Sequence, residues 1–184
     1  LAKYARDKIN NIRGYSCIDK SYCDRPGRFD FDLTKVVINV SEVGLSGFDV
    51  YKTIRKESNI QLELSEVSEV LAIISLGTTK EHVDKLIAAL KRISDEYYDS
   101  TDVHKVPHFK YEYPELVVRP REAFHAPSKI VALEDAVGEI SAESLMVYPP
   151  GIPIAIPGEI ITKDALDLVE FYEKSGGVLL SDSP

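Results

Sequence analysis

A mixed α/β (α+β) chain arranged as two small lobes is the fold class that these 184 residues predict. Three observations carry that reading: short β-branched or alternating apolar runs between residues 35 and 76, helix-capping signatures at Ser46, Thr78 and Thr162, and a Tyr- and Pro-interrupted stretch over 97–119 that breaks any long period. The hydrophobic share of 44% and charged share of 28% lie near globular averages, so a packed core is expected rather than disorder.

Residues 1–34 mix helix-like and turn-like text, with Pro26-Gly27 marking a break, and are read as an N-terminal connecting segment. Lys35-Val36-Val37-Ile38-Asn39-Val40 has the β-branched composition of a central strand. Ser46, with Asp49 three residues on, opens a helix expected to reach about Glu57. Val50, Tyr51 and Ile54 share its buried face, leaving Lys52, Arg55 and Lys56 in water. Ile60-Gln61-Leu62-Glu63-Leu64 alternates strictly, which sends Ile60, Leu62 and Leu64 to one face and Gln61 and Glu63 to the other. Val70 to Leu76 is nearly continuous apolar text, read as a strand buried on both faces and paired with the preceding one as an antiparallel hairpin. Gly77 ends it. Thr78-Thr79-Lys80-Glu81 then reads as a capping box before a helix whose stripe is Val83, Leu86, Ile87, Leu90 and Ile93. These elements make an α/β lobe over 35–98, followed by a linker over 99–119.

The second lobe, 120–184, offers strand candidates at Lys129 to Leu133 and Leu145 to Val147, and a last helix from the Thr162 cap to about Lys174 that Gly176-Gly177 stops. Between them lies Tyr148-Pro149-Pro150-Gly151-Ile152-Pro153-Ile154-Ala155-Ile156-Pro157-Gly158-Glu159. Proline fixes φ and removes a donor, so this segment is neither a helix nor an ordinary central strand but a rigid extended ribbon. On composition alone it is a structural loop against a sheet edge.

The formal charge of −8 disfavours phosphate backbones and anionic lipid surfaces, so neither nucleic acid nor membrane is an expected partner. A cationic ligand suits that field. Cys17 and Cys23 are the only cysteines, too few for a zinc site or a disulfide framework, and cytoplasm is the expected compartment. No apolar run reaches membrane-span length, and the text begins at Leu1 without an initiator Met, as expected of a piece of a larger protein.

Read in order, Pro120-Arg121-Glu122-Ala123-Phe124, Leu133-Glu134-Asp135-Ala136-Val137-Gly138, Ile140-Ser141-Ala142-Glu143 and the ribbon Tyr148 to Glu159 resemble the C-terminal domain of the bacterial ornithine, lysine and arginine decarboxylases. The preceding lobe resembles the small domain of fold-type-I pyridoxal-phosphate enzymes in that family. The resemblance spans about residues 35–175 and is most specific in its last third.

This resemblance implies a small α/β domain followed by an α+β C-terminal domain. The activity it implies is decarboxylation of a basic amino acid to agmatine or a diamine in polyamine biosynthesis, with arginine favoured over lysine or ornithine. Pyridoxal 5′-phosphate is the implied cofactor, held mainly by an N-terminal large domain, since no Ser-x-His-Lys string is present here to supply its lysine. No catalytic residue is expected within these 184 residues, and assembly as a homodimer or higher homo-oligomer is implied. Two positions carry over. Glu63 matches a carboxylate that approaches the distal cation of the substrate, its alternative being an exposed strand acid. Tyr148 matches a tyrosine beside the active-site entrance, its alternative being a packed anchor for the ribbon. Glu159 is a third candidate, adding negative potential or else capping a turn. Relatives have Gly-Arg-Ile where this chain has Gly138-Glu139-Ile140, which removes any ion pair made by that arginine. The alternative function is a non-catalytic oligomerisation or regulatory module of the same fold.

Other constellations are weaker. His104 and His108 have a metal-like spacing, but Pro107 between them opposes a shared helix face, and they read as loop histidines. Arg119 and Arg121 read as solvated cations, as do Lys91 and Arg92.

Overall fold

Three Asx turns organise the first part of the chain. Asp19, Asp32 and Asn39 each accept, on Oδ1, both the backbone N–H and the hydroxyl of the residue two positions on (Ser21, Thr34 and Ser41) at 2.6–3.1 Å. The last two bracket β2 (Lys35–Asn39), fixing where this strand begins and ends. In this computed structural model, residues 1–98, 114–148 and 151–182 are described, and the chain divides into two units, Leu1–Val106 and Pro107–Pro184.

In the first unit β2 is central as expected, in a four-stranded antiparallel sheet of order β1-β2-β4-β3, with β1 at Ser16–Cys17, β3 at Leu64–Ser65 and β4 at Glu69–Ile73. Three helices supply the rest of its core: α1 (Ala2–Ile9), α2 (Gly47–Ser58) and α3 (Lys80–Tyr97). Val36 and Ile38 of β2 and Val70 and Ala72 of β4 point into that core beside Ala5, Ile9, Val50, Ile54, Leu86, Leu90 and Ile93. Each fully buried aliphatic side chain there contributes about 1.5–3 kcal/mol. The unit therefore begins well before residue 35. The N-terminal text is an integral helix and edge strand, because the buried Arg6 guanidinium donates to the carbonyls of Ile18, Leu33 and Lys35 at 2.6–2.9 Å and so binds α1 to β1 and to the start of β2. Tyr4 adds a bond to Asp84 of α3 at 2.6 Å.

The capping logic holds with one shift. Ser46 caps α2 by accepting the Asp49 N–H at 3.1 Å, and the helix runs one residue past expectation to a left-handed Asn59. The cap of α3 is Thr79 rather than Thr78. His82 Nδ1 completes its box by accepting the Thr79 N–H, a partner that the Ser/Thr-x-x-Glu pattern does not include, while Thr78 closes the preceding turn through Ser75.

Two strand expectations change. β4 stops at Ile73 and is buried on one face only: Ile73 is 40% exposed and Leu76 wholly so, because all three helices share a side of the sheet. The run 60–64 forms a strand only at its end. Leu64 is in register with Leu71, yet the Glu63 N–H also bonds the Leu71 carbonyl at 2.9 Å, so two residues face one, as in a β-bulge. Strict alternation fails there: Leu62 is buried in the core, whereas Leu64 lies in the row of Leu71 on the opposite face.

The second unit is built on a three-stranded antiparallel sheet, β6-β5-β7, with β5 at Leu145–Tyr148, β6 at Ile152–Ala155 and β7 at Val178–Leu180. The expected last helix is α5 (Lys163–Lys174), capped by Thr162 and terminated at Gly176 (φ 86°). Its Schellman bonds run from Gly176 N to Glu173 O and from Gly177 N to Tyr172 O. α5 packs Ala165 and Val169 on Val147 and Ile154. A six-residue helix, α4 (Pro120–His125), precedes them. The expected strand at Lys129 to Leu133 does not form: Ile130 is 75% exposed, and only a turn of 3-10 helix follows over Leu133–Asp135, since β-branched text without a partner strand has no ladder to join.

The proline ribbon supplies edge strand β6, where Pro153 removes no interior ladder bond. It then turns at Ile156-Pro157-Gly158-Glu159. The Glu159 N–H bonds Ile156 O at 3.2 Å, with Pro at the second position and Gly158 at φ 91° in the third, as a type II turn requires. Beyond it, residues 115–118 and 138–141 bind the ribbon from two sides: Val117 N to Gly158 O (3.0 Å), Gly158 N to Ser141 O (2.8 Å) and Ile160 N to Glu115 O (3.0 Å). Residues 115–118, expected in the linker, thus belong to this unit. A Cβ on Gly158 would sit 2.0 Å from the Val118 carbonyl oxygen.

Gly158→Ala is accordingly expected to destabilise this unit by about 2 kcal/mol or more, through positive φ and collision with backbone. Amide exchange at Val117 and Val118 reads it out. An unchanged exchange rate at both amides would disprove the contact.

Candidate functional site

Glu63 sits beside the bulge on the β3–β4 hairpin, and the hairpin's position follows from a glycine. The turn between the strands closes through Glu66 N to Glu69 O (2.8 Å) and docks on α2 through Gly47 N to Val67 O (2.8 Å). A Cβ on Gly47 would lie 2.1 Å from Glu66 O and 2.4 Å from Glu69 O, so only glycine permits this approach. Val40 N also holds the turn, at Ser68 O (2.8 Å).

The Glu63 side chain is exposed, as the alternation predicts, and its carboxylate has no hydrogen-bond or ion-pair partner among the described residues. Its neighbour Gln61 is fixed by bonds to the Tyr51 hydroxyl and, at 3.0 Å, to Leu62 O. Two further acids share the hairpin. Burial pushes both the Glu66 and Glu69 carboxyls above the ordinary value, and for Glu66 the neighbouring Glu69 charge adds to the rise against a backbone bond from Val67. One hairpin thus carries three carboxyl groups and no basic residue, a surface suited to a cation.

Tyr148 closes β5 opposite Val178, is 55% exposed, and has no hydroxyl partner among the described residues. The ring is presented at the surface, where a phenol combines apolar contact with a polar tip. Pro149 and Pro150, which follow it, lie outside the described residues. Glu159, at the far end of the ribbon, turns inward: its Oε2 accepts the Ile156 N–H at 2.9 Å and so braces the type II turn. Of the three residues singled out, Glu63 belongs to the first unit, and Tyr148 and Glu159 to the second.

The replacement of the expected arginine by Glu139 has a local answer that the sequence did not reveal. Lys129 Nζ lies 2.7 Å from Glu139 Oε1, so the reversed charge finds a cation ten residues upstream. Both groups are largely exposed, and such a pair contributes less than about 1 kcal/mol. Glu66 and Glu69 were also missed, since their burial depends on the Gly47 contact. Arg119 is 3.9 Å from Glu122 on an exposed turn. His104 and His108 lie outside the described residues, and no described helix is long and apolar enough to cross a membrane.

Residues 104–177 match the family described as Orn/Lys/Arg decarboxylase, C-terminal domain. That match covers 74 of the 184 residues. Arginine decarboxylase of Halalkalibacterium halodurans is 38% identical over 96% of the chain, and that of Bacillus subtilis is 38% identical over 92%. The chain spans only 36% and 35% of those two relatives, about a third of their length. Among solved structures, the Francisella novicida lysine decarboxylase superposes with a TM-score of 0.71 at 21% identity, covering 97% of this chain and 36% of that one. The Escherichia coli constitutive lysine decarboxylase gives 0.69 at 20% identity over 95% and 36%. At such identities the structural likeness establishes the shared mixed α/β fold.

The raised carboxyls fix the sign of a pH effect. A carboxyl whose folded-state value exceeds its unfolded value binds its proton more tightly when folded, so its contribution to stability declines as pH rises from the ordinary 4.5 through the folded value. The double variant Glu66→Gln, Glu69→Gln should therefore gain stability relative to the parent between about pH 4.5 and pH 7. Urea denaturation across that range measures the difference; a gap that stays constant or closes with rising pH would contradict the burial of these groups.

Proposed function

We propose that this chain is the small-domain and C-terminal portion of a pyridoxal-phosphate decarboxylase that removes the α-carboxylate of a basic amino acid, arginine first, to give agmatine and CO2. The observation that carries the reading is that one chain holds both the match to that C-terminal domain and a hairpin whose exposed acid, Glu63, has no partner among the described residues. Two relatives that are 38% identical over 96% and 92% of this chain are named arginine decarboxylases, which supports arginine before lysine or ornithine.

In this reading Glu63 receives the distal cation of the substrate. An ionised carboxylate offers a guanidinium two parallel charge-assisted hydrogen bonds, and a solvent-facing acid without a competing cation is free to accept them. Glu66 and Glu69 deepen the negative potential around it. Tyr148 lines the passage for the aliphatic stem, and Glu159 acts on the ribbon's turn rather than on substrate.

The cofactor's seat is assigned to a domain outside these residues. Every described lysine is exposed, and no Ser-x-His-Lys string exists, so the Schiff-base lysine is assigned to an N-terminal large domain, the principal partner of this chain, in a cytoplasmic homodimer or higher homo-oligomer. The 184 residues alone are inactive.

The full-length protein loaded with pyridoxal phosphate should release CO2 from arginine. Glu63→Gln should then lower kcat/KM roughly 10- to 150-fold, the consequence of losing a charged partner at about 1.5–3 kcal/mol, while cofactor absorbance is unchanged. Full activity in that variant removes Glu63 from the site, and a full-length protein that neither binds the cofactor nor releases CO2 removes the decarboxylase reading.

A further inference from the structure

The break at Pro26-Gly27 has a use that the decarboxylase reading does not absorb. Arg25-Pro26-Gly27-Arg28 is a second type II turn: the Arg28 N–H bonds Arg25 O at 3.2 Å, proline holds the second position, and Gly27 takes φ 81° in the third. A Cβ on Gly27 would meet nothing within 4 Å, so glycine is needed for the backbone angle and not for space. The turn brings the Cα atoms of two arginines to less than about 7 Å from each other.

Neither guanidinium is neutralised. Among the described residues no carboxylate forms an ion pair with Arg25 or Arg28. Arg28 is held in place by the ring of Tyr22, 3.7 Å from its centroid, and by a bond to Tyr22 O at 3.3 Å. Both arginines line a cleft of about 400 Å3 together with Tyr22, Ser21, Asp19 and the Cys17–Ile18 edge. Asp19 is the only acid in that lining, and its carboxylate is occupied by the Ser21 N–H and hydroxyl. The segment that forms the cleft is anchored at both ends by Arg6, through Ile18 O on one side and Leu33 O and Lys35 O on the other. Within the lining itself two arginines face one carboxylate, and that carboxylate is already engaged.

We propose that this cleft binds a small molecule bearing a phosphate group, gripped by the Arg25 and Arg28 forks at the corners of one rigid turn. Each planar fork offers two parallel donors to an oxyanion, and a dianionic phosphate matches two adjacent cations better than a monocarboxylate does. The volume leaves room for a body beyond the phosphate, which Tyr22 flanks. The proposal is independent of the reaction assigned above.

Isothermal titration of the full-length, cofactor-loaded protein with inorganic phosphate, pyrophosphate and malonate tests it. The parent should bind pyrophosphate saturably with one ligand at this cleft and malonate more weakly. Arg25→Gln with Arg28→Gln should weaken pyrophosphate binding at least tenfold, and so should Gly27→Ala, which keeps both charges but strains the turn. Arg119→Gln with Arg121→Gln should leave pyrophosphate binding at the parent's level. Binding equal to the parent's in the double arginine variant overturns the proposal, as does malonate binding as tightly as pyrophosphate. Loss in the arginine variant with parental binding in Gly27→Ala also overturns it, because diffuse charge would then suffice without a built site.

Discussion

Each unit depends on a carbonyl lying where no side chain can be. At Gly47 two hairpin carbonyls approach to distances that a Cβ would reduce to 2.1 and 2.4 Å, and at Gly158 the Val118 carbonyl does the same at 2.0 Å. These contacts decide placement. Gly47 sets the β3–β4 turn against the start of α2, which fixes the register of the strand carrying Glu63. Gly158 lets the proline ribbon lie between residues 115–118 and 138–141, and the turn it closes is where Glu159 turns inward onto the Ile156 N–H. A glycine so used costs conformational entropy on folding, and the backbone hydrogen bonds made possible by the close approach offset it.

Charge follows the same division of labour. The hairpin collects acids whose burial disfavours their ionised forms, while in the segment over residues 19–34 two of the acids, Asp19 and Asp32, are occupied internally in Asx turns. Asp19 and Asp32 accordingly have their carboxyls held below the ordinary value, chiefly by the hydroxyls of Ser21 and Thr34. Arg6 makes this arrangement possible. A buried guanidinium needs aligned dipoles to replace water, and the carbonyls of Ile18, Leu33 and Lys35 from both flanks of the loop provide them, with Ala2 O at 3.4 Å and the Phe31 ring completing the surroundings.

What the sequence disclosed was local. Ser46, Thr162 and Gly176 act through bonds spanning three to five residues, so their roles are written in adjacent text, as are the α3 stripe and the break at Pro26-Gly27, whereas the segment expected as one extended ribbon turns at Pro157-Gly158 after β6 because Gly158 takes a positive φ. Long-range partners were not legible. β1 and β7 are two and three residues long and exist only because β2 and β5 offer open edges. Lys129 to Leu133 has equally suitable composition and no such edge. The candidate site divides the same way: exposure of Glu63 followed from alternation, whereas the compensation of Glu139 by Lys129 and the burial of Glu66 and Glu69 required tertiary contacts.

The bulge at Glu63 shows why a correct expectation arose from an incomplete rule. Alternation assigns Leu62 and Leu64 to one face and Glu63 to the other, but the extra residue opposite Leu71 separates the two leucines. A regular strand continuing the Ser65–Val70 register would place Glu63 across from Ala72, on the face that α1, α2 and α3 cover. An ionised carboxylate there would meet aliphatic core and be forced neutral. The inserted residue moves Glu63 to water and lets Leu62 take the core position instead. One backbone irregularity thus keeps the Glu63 side chain in water while Leu62 stays in the core.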